Sequence, residues 1–469
     1  MVRDMTKGSP TRLILAFALP MLAGSILQQF YNLADSVIVS WGVGVNAFTS
    51  IGCTSSMNFF VIGFINGLTQ GFSILISQYF GAKNLESMRK SIAMSICLSA
   101  ISVIVVSLAA ALSSEGILTL MQTPDVYMED AVLYSRIVYG CVGCLVFYNM
   151  TSSILRAVGD SRNPLVAIIL STLMNIGLDL LFVMVFHWGV AGAAIATAIS
   201  QVMAMCYNLV VMSRLEILRL SKKDFKPDFS MVRKMVVMGI PMAFQNSVTA
   251  MGVMILQGVV NSLGALYSAA YAAGCKVVNI IQQPNATFGM AITTYTGQNL
   301  GAGKLDRIRK GVVRCIGINM VICTCLCLCM IFFSKPIAGF IVGFDPNADQ
   351  IIQEASNYMV FLSLFLWVLG LLWPYRSALQ GMGRTFMPMV SGGLELAIRI
   401  SLVLTLPLFM GFWGVMTAEV SAWTGATIML VIDYYLVIHK LKHATNLNHT
   451  LLKKKEALEK VPAIPGKHS

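Results

Sequence analysis

Apolar runs of about twenty residues or more, each followed by a short polar segment, recur along almost the whole chain. Twelve can be separated, the first centred near Ala23 and the last near Thr424. Each is long enough to cross roughly 30 Å of hydrocarbon as a helix, so the pattern predicts an all-α membrane protein with twelve transmembrane helices. The polar segments alternate in charge. The N-terminal segment, the loops around 83–90, 156–162, 214–234, 304–314 and 376–384, and the tail from Lys440 onward hold 29 of the 33 Lys and Arg. The intervening loops are acidic, as in "SSEGILTLMQTPDVYMED" and "GFDPNADQIIQE". This is the positive-inside pattern, and an even number of spans then puts both termini in the cytoplasm of a cell that carries the protein in its plasma membrane. The first run is too long for the core of a cleavable signal and has no small-residue cleavage site, so it reads as a permanent helix.

Composition changes this picture little: 57% hydrophobic residues, 12% charged and a mean hydropathy of +0.75 exclude a soluble globular chain. The net charge of +12 is spread over alternate loops rather than gathered in one patch, so it does not indicate nucleic acid. The clusters "CVGC" and "CTCLCLC" fall inside apolar runs and read as small apolar fillers.

Landmarks of the first half return in the second in the same order. "AFALPMLAG" matches "VVMGIPMAF", "SQYFGAKNLESMRKS" matches "GQNLGAGKLDRIRKG", "SSILRAVGDSRNPLV" matches "RSALQGMGRTFMPMV", and "HWGVAGAAIATA" matches "GFWGVMTAE". The repeat predicts two pseudo-symmetric six-helix lobes, residues 1–213 and 235–440, joined by a basic cytoplasmic connector, 214–234, and followed by a cytoplasmic tail, 441–469. Six spans per copy keep the two lobes in the same orientation, related by an axis along the membrane normal, with a substrate path between them. The connector's charges suit contact with anionic lipid.

Within "FYNLADSVIVSW" the first span carries one carboxylate, Asp35, and an ionised aspartate at mid-membrane costs about 2.5 to 3.5 kcal/mol. Asp179 is its counterpart on the fifth span. Polar residues gather around both at helical spacing: Ser25, Gln28, Asn32 and Asp35; Asn66, Gln70, Ser73 and Ser77; Thr172, Asn175 and Asp179; Thr197 and Gln201. Four such stripes in one lobe predict a hydrated cavity, although amides and hydroxyls of this kind also join helices to one another. In "NIGLD", Asn175 and Asp179 lie one turn apart and address the same point. Loss of water around a carboxylate favours its protonated form, and the same oxygens suit Na+, so the residues leave H+ and Na+ open. Pro20 removes a backbone hydrogen bond and makes a weak point in the first helix. The second lobe differs. By the repeat, Arg399 takes the place of Asn175, Glu395 that of Ser171 and Glu419 that of Thr197. Glu395 and Arg399 are spaced to pair, and Lys276 offers a cation to Glu419, so a locked charge network is expected there. Met57, Met150, Tyr31, Tyr139, Met254, Met290, Phe288 and Trp373 are candidates for an adaptable lining, alongside their ordinary use in packing.

The paired "QYFGAKN" and "QNLGAGK", the proline before an aspartate on the first helix and "RAVGDSRNP" before the fifth resemble the multidrug and toxin extrusion (MATE) transporters, most closely their bacterial DinF-like branch. The resemblance covers nearly the whole chain. It implies a cation-coupled antiporter that exports amphipathic, often cationic drugs or toxic metabolites, with Asp35, Asn175 and Asp179 as the coupling-ion site and bending at Pro20 as a response to protonation. The carboxylate that one subfamily carries on its tenth helix is missing from "FLWVLGLLWPY". No cofactor, resident metal or enzymatic activity is expected, and no Walker A motif is present. Small molecules and membrane lipids are the expected partners of a monomer. The alternatives are a lipid-linked oligosaccharide flippase of the wider superfamily and a non-coupled channel or receptor.

Overall fold

The computed structural model describes residues 2–43, 45–120, 124–343 and 348–459. Side chains at 32–37, 39–41, 45–51, 53, 55, 56, 111, 120, 125 and 444–459 lie outside the described set, which therefore excludes those of Asn32 and Asp35. Regular structure among the described residues is helical throughout. The first lobe contains α1 (Pro10–Gly42), α2 (Val45–Gly81), α3 (Leu85–Leu120), α4 (Asp125–Gly140), α5 (Val142–Ala157), α6 (Arg162–Asp179) and α7 (Gly189–Arg214). Two short 3-10 turns, Glu216–Leu218 and Lys222–Phe225, form the connector. The second lobe contains α8 (Phe229–Ser262), α9 (Ala265–Gly301), α10 (Leu305–Val342), α11 (Ala348–Leu364), α12 (Leu366–Gly381), α13 (Phe386–Thr405), α14 (Pro407–Met410) and α15 (Phe412–Glu459).

Among the described residues nine helices are long and apolar enough to span a bilayer, and the bent pairs α4/α5 (45°) and α11/α12 (48°) bring the spans to eleven. The twelfth is α9. Its 37 residues are ample in length, but Lys276, Asn279, Gln282, Gln283 and Asn285 make it too polar to qualify by composition. It packs against α1, α2, α10, α11 and α12, which bury Asn285 and the polar residues of its last turns such as Thr296, Gln298 and Asn299, while Lys276 and Asn279 stay exposed.

The repeat is visible in the backbone. The break at Cys141 between α4 and α5 is matched by one at Phe365 between α11 and α12. Gly159 and Gly383 both hold positive φ, 84° and 78°, where the chain turns into α6 and α13. Pro164 and Pro388 sit in the first turns of those helices, where a missing N–H costs nothing.

The hydrophobic cores do not follow the division into lobes. Met5, Ile14, Phe17, Ala18 and Met21, from the N-terminal segment and the first half of α1, belong to the main core of the second lobe. Reciprocally, Met231, Met235 and Ala243 of α8 pack into the first lobe's core with Phe72, Met88 and Ile154. The lobes thus exchange the beginnings of their first helices, on the face that carries the termini.

This face is sealed by backbone contact. α2 packs along α8 and α9, and the approach is so close that a Cβ on Gly301 would collide with the Gln78 carbonyl, while one on Gly81 would collide with that of Gln298. Gly301→Ala should therefore destabilise this arrangement by about 1 to 3 kcal/mol, the usual range for overpacking, with Gly303→Ala, which has open space around it but positive φ, as the contrasting variant. Denaturant titration with a cysteine-accessibility probe on the terminal face checks this: the Gly301 variant should gain accessibility there, and the Gly303 variant should not.

Candidate functional site

A cavity of about 360 Å³ lies inside the first lobe. Its walls carry Gln28 and Tyr31 of α1, Asn58 and Asn66 of α2, Tyr134 and Tyr139 of α4, Tyr148 and Asn149 of α5, Ser171 and Thr172 of α6, and Thr197 and Gln201 of α7. Of the cavity residues expected from sequence, Gln28, Asn66, Thr197 and Gln201 are brought together. Gln70 is not among the lining residues: one turn beyond Asn66, α2 runs against α8 at Gly71 and Gly239, so the space has already closed. Asn32 lies outside the described residues. Asn58, Tyr134, Tyr148 and Asn149 were not expected. Asn58 extends the face of Asn66 by two turns, and that spacing was available to be read. The stripe through α4 and α5 is interrupted by the break at Cys141, which shifts its helical phase. Tyr139 donates a 2.7 Å hydrogen bond to Asn58 Oδ1, fixing α4 to α2 at the wall. Met150 and Met57 are buried in packing and do not line the space.

Asn175 and Asp179 sit behind the wall, both fully buried. Thr197 joins Asn175 to the cavity: its hydroxyl meets the Tyr31 hydroxyl at 3.4 Å and accepts from Asn175 Nδ2 at 3.5 Å, both long contacts. Asn175 Oδ1, also buried, accepts no hydrogen bond among the described residues. Asp179 ends α6, and residues Leu180–Val185 directly after it form a π-helical turn, an irregularity that concentrates at functional sites. The Asp35 side chain lies outside the described residues. Its helix packs against α6. Pro20 lies inside α1, near the end of the part buried in the second lobe's core, which runs to Met21, and about two turns ahead of the part that faces the cavity.

At the positions that the repeat equates with the first lobe's polar wall, the second lobe holds a buried ionic network. Glu395 of α13 receives Arg376 Nη2 on one oxygen at 3.0 Å and Arg399 Nη2 on the other at 2.9 Å. Gly252 on α8 makes room for the Arg399 guanidinium, which a Cβ there would strike. Glu419 of α15 accepts from the Tyr358 hydroxyl at 3.4 Å, and Cys275 Sγ lies 3.4 Å from the same hydroxyl. The expected cation Lys276 is exposed and forms no ion pair among the described residues. It follows Cys275 on α9, and adjacent helical residues are rotated by about 100°, which turns Lys276 outward when Cys275 faces Glu419's neighbour. The second cation is Arg376, which charge counting had assigned to a loop. It lies inside α12, 5% exposed, with its guanidinium 5.7 Å from the Trp373 ring centre.

On the terminal face the doubled motif makes reciprocal bonds between lobes. Gln78 Nε2 donates to the Gly381 carbonyl at 3.0 Å, and Gln298 Nε2 donates to the Ala157 carbonyl at 3.0 Å. The second copy also grips the N-terminal segment. Met5 N donates to Gln298 Oε1 (2.9 Å), Asn299 to the Met5 carbonyl (3.2 Å), Lys304 to the Thr6 carbonyl (2.8 Å) and Arg307 to the Gly8 carbonyl (3.0 Å). Burial raises the pKa of Asp4 in this segment, but bonds from Thr6 and the charges of Lys7 and Lys304 bring it below the usual carboxylate value. Asp228, which caps α8 through Met231 N, is likewise held low, chiefly by Lys90 at 2.9 Å.

Two six-helix lobes, a polar cavity in one of them with buried acid and amide behind its wall, and a face closed by paired interlobe bonds define a multi-pass membrane transporter. The chain belongs to the MatE family of multidrug efflux transporters, whose model matches residues 20–181 and 241–405, one stretch in each lobe. It is 24% identical over 456 residues to the probable multidrug resistance protein YoeA of Bacillus subtilis, covering 94% of this chain and 97% of that protein. It is 30% identical over 306 residues to the probable multidrug resistance protein YpnP of the same organism, covering 65% and 68%. A solved structure described as the outward-facing conformation of a multidrug resistance MATE family transporter superposes with a TM-score of 0.86 at 22% identity, over 94% of this chain and 98% of that one.

Proposed function

We propose that this protein exports amphipathic, often cationic small molecules from the cytoplasm in exchange for H+ or Na+, with Asp35, Asn175 and Asp179 as the coupling-ion site. The observation that carries this reading is the fully buried Asn175–Asp179 pair, whose Asn175 is joined to a polar cavity through Thr197. An acid in that setting is costly unless it exchanges a cation. Asn175 Oδ1, which accepts no hydrogen bond among the described residues, would ligate Na+ directly or accept a hydrogen bond from a protonated carboxyl. The names of the Bacillus subtilis relatives support small-molecule cargo.

Both termini lie in the cytoplasm of the plasma membrane in this reading, so the sealed terminal face is the cytoplasmic one and the conformation is outward-facing. Cation binding then bends α1 at Pro20, and the lobes rock as the glutamine bonds open. The protein works as a monomer among lipids. Each cation entering supplies about 2.3 kcal/mol per 100 mV. Dye efflux from proteoliposomes, measured under an imposed proton gradient and then under a sodium gradient, tests the proposal. Efflux is expected to follow one of the gradients and stop when it is collapsed. Flux indifferent to both would make the protein a channel.

A further inference from the structure

A groove of about 600 Å³ opens on the terminal face where the start of α1 meets the start of α10. Ser9 and Thr11 line one side, and Arg309, Lys310, Val313 and Arg314 the other. The three cations share one exposed face of α10, by their spacing and by their burial. None of them forms an ion pair among the described residues. The groove's one acid, Asp306, is engaged by Lys442 of α15 at 3.3 Å, so the excess positive charge is not cancelled. On the other side of the same helical turns, Lys304 and Arg307 are committed to the N-terminal segment.

We propose that this groove binds an anionic phospholipid of the cytoplasmic leaflet, its phosphate held by Arg309, Lys310 and Arg314 and its acyl chains running along α10 from Val313. The charge supplies the complement to a phosphate. The level supplies the lipid: both helices enter the membrane here, and Val313, 56% exposed, continues into the apolar flank of α10 that a free anion would leave uncovered. The start of α1 is seated in the second lobe's core, so the lipid covers the seam between that segment and α10, close to the glutamine bonds. The assignment rests on the orientation proposed above and is independent of the coupling site.

Native mass spectrometry of the full chain in detergent, titrated with phosphatidylglycerol and separately with phosphatidylcholine, tests it. The groove variant Arg309→Gln/Lys310→Gln/Arg314→Gln is compared with Lys222→Gln/Lys223→Gln/Lys226→Gln, which removes the same charge from the connector. Removing three interfacial charges should weaken phosphatidylglycerol binding by on the order of 100-fold in the groove variant. The connector variant, whose charges meet the leaflet only as a diffuse surface, should lose well under tenfold, and phosphatidylcholine should bind weakly to all three. Equal phosphatidylglycerol affinity in wild type and groove variant overturns the proposal, as does an equal loss in the connector variant. Complete displacement of the lipid by millimolar inorganic phosphate overturns the lipid assignment in favour of a free anion. Lipid-free melting temperatures that agree among the three proteins exclude misfolding, and Arg314→Gln alone, expected to show a smaller loss in the same direction, serves if the triple variant melts early.

Discussion

Asp179→Asn should abolish gradient-driven efflux while leaving the protein folded and able to bind its cargo. The carboxamide has the size and shape of the protonated acid, so the packing behind the cavity wall, where residue 179 is fully buried, is preserved. What disappears is the ability to change charge. With an uncharged dye, coupling to one cation at 100 mV gains about 2.3 kcal/mol, which sustains roughly a fiftyfold concentration ratio, and that ratio should fall to near unity in the variant. Asp35→Asn is expected to behave alike. Thr197→Val, which removes the link from Tyr31 and Asn175 without touching a carboxylate, should slow transport and leave it coupled. Dye accumulation ratios in proteoliposomes, read beside dye binding in detergent, check all three. An Asp179→Asn protein that still accumulates dye against its gradient would remove the acid from the mechanism.

Glu395→Gln is expected to be the most destabilising single substitution in the second lobe. It leaves Arg376 and Arg399, 6% and 3% exposed at their side chains, facing a neutral amide in a site closed to water. Removing one partner of a buried ion network typically costs about 3 to 5 kcal/mol, because the desolvated charges that remain lose their direct ion pairs. Replacing the whole triad by apolar residues of similar volume should cost far less, since the charges and their desolvation penalty leave together. Unfolding midpoints of the single and triple variants separate the two cases. A Glu395→Gln protein that unfolds like wild type yet no longer transports would turn this network from a structural brace into part of the transport site.

The spans, the repeat and half of the cavity were legible because each rests on local periodicity. Gln28 and Asn66 follow α-helical spacing on helices that run straight past the cavity. The missed residues fail that condition for definite reasons. Tyr134 and Tyr148 stand on either side of a 45° break at Cys141, and a single helical phase does not carry across it. Arg376 reads as a loop cation because it lies near a turn, and only the neighbouring chain shows that its charge points inward at Glu395. Gln70 has the right spacing and the wrong depth, since depth depends on where α2 meets α8. Lys276 was assigned to Glu419 by charge alone, whereas its place on α9 turns it away. The exchange of α1 and α8 between the cores was not legible at all, because a repeat in sequence says how two halves are built and nothing about which of them each helix chooses as its neighbour.

That exchange bears on how the molecule is made. The ribosome delivers Met5, Ile14 and Phe17 among the earliest residues, yet their companions, such as Tyr295, Val312 and Leu379, are synthesised only in the second half. During synthesis the beginning of the chain must wait in the bilayer or with a chaperone until the far half arrives. A truncated product holding the first six spans would therefore be left with an unfinished edge, open to quality-control proteolysis.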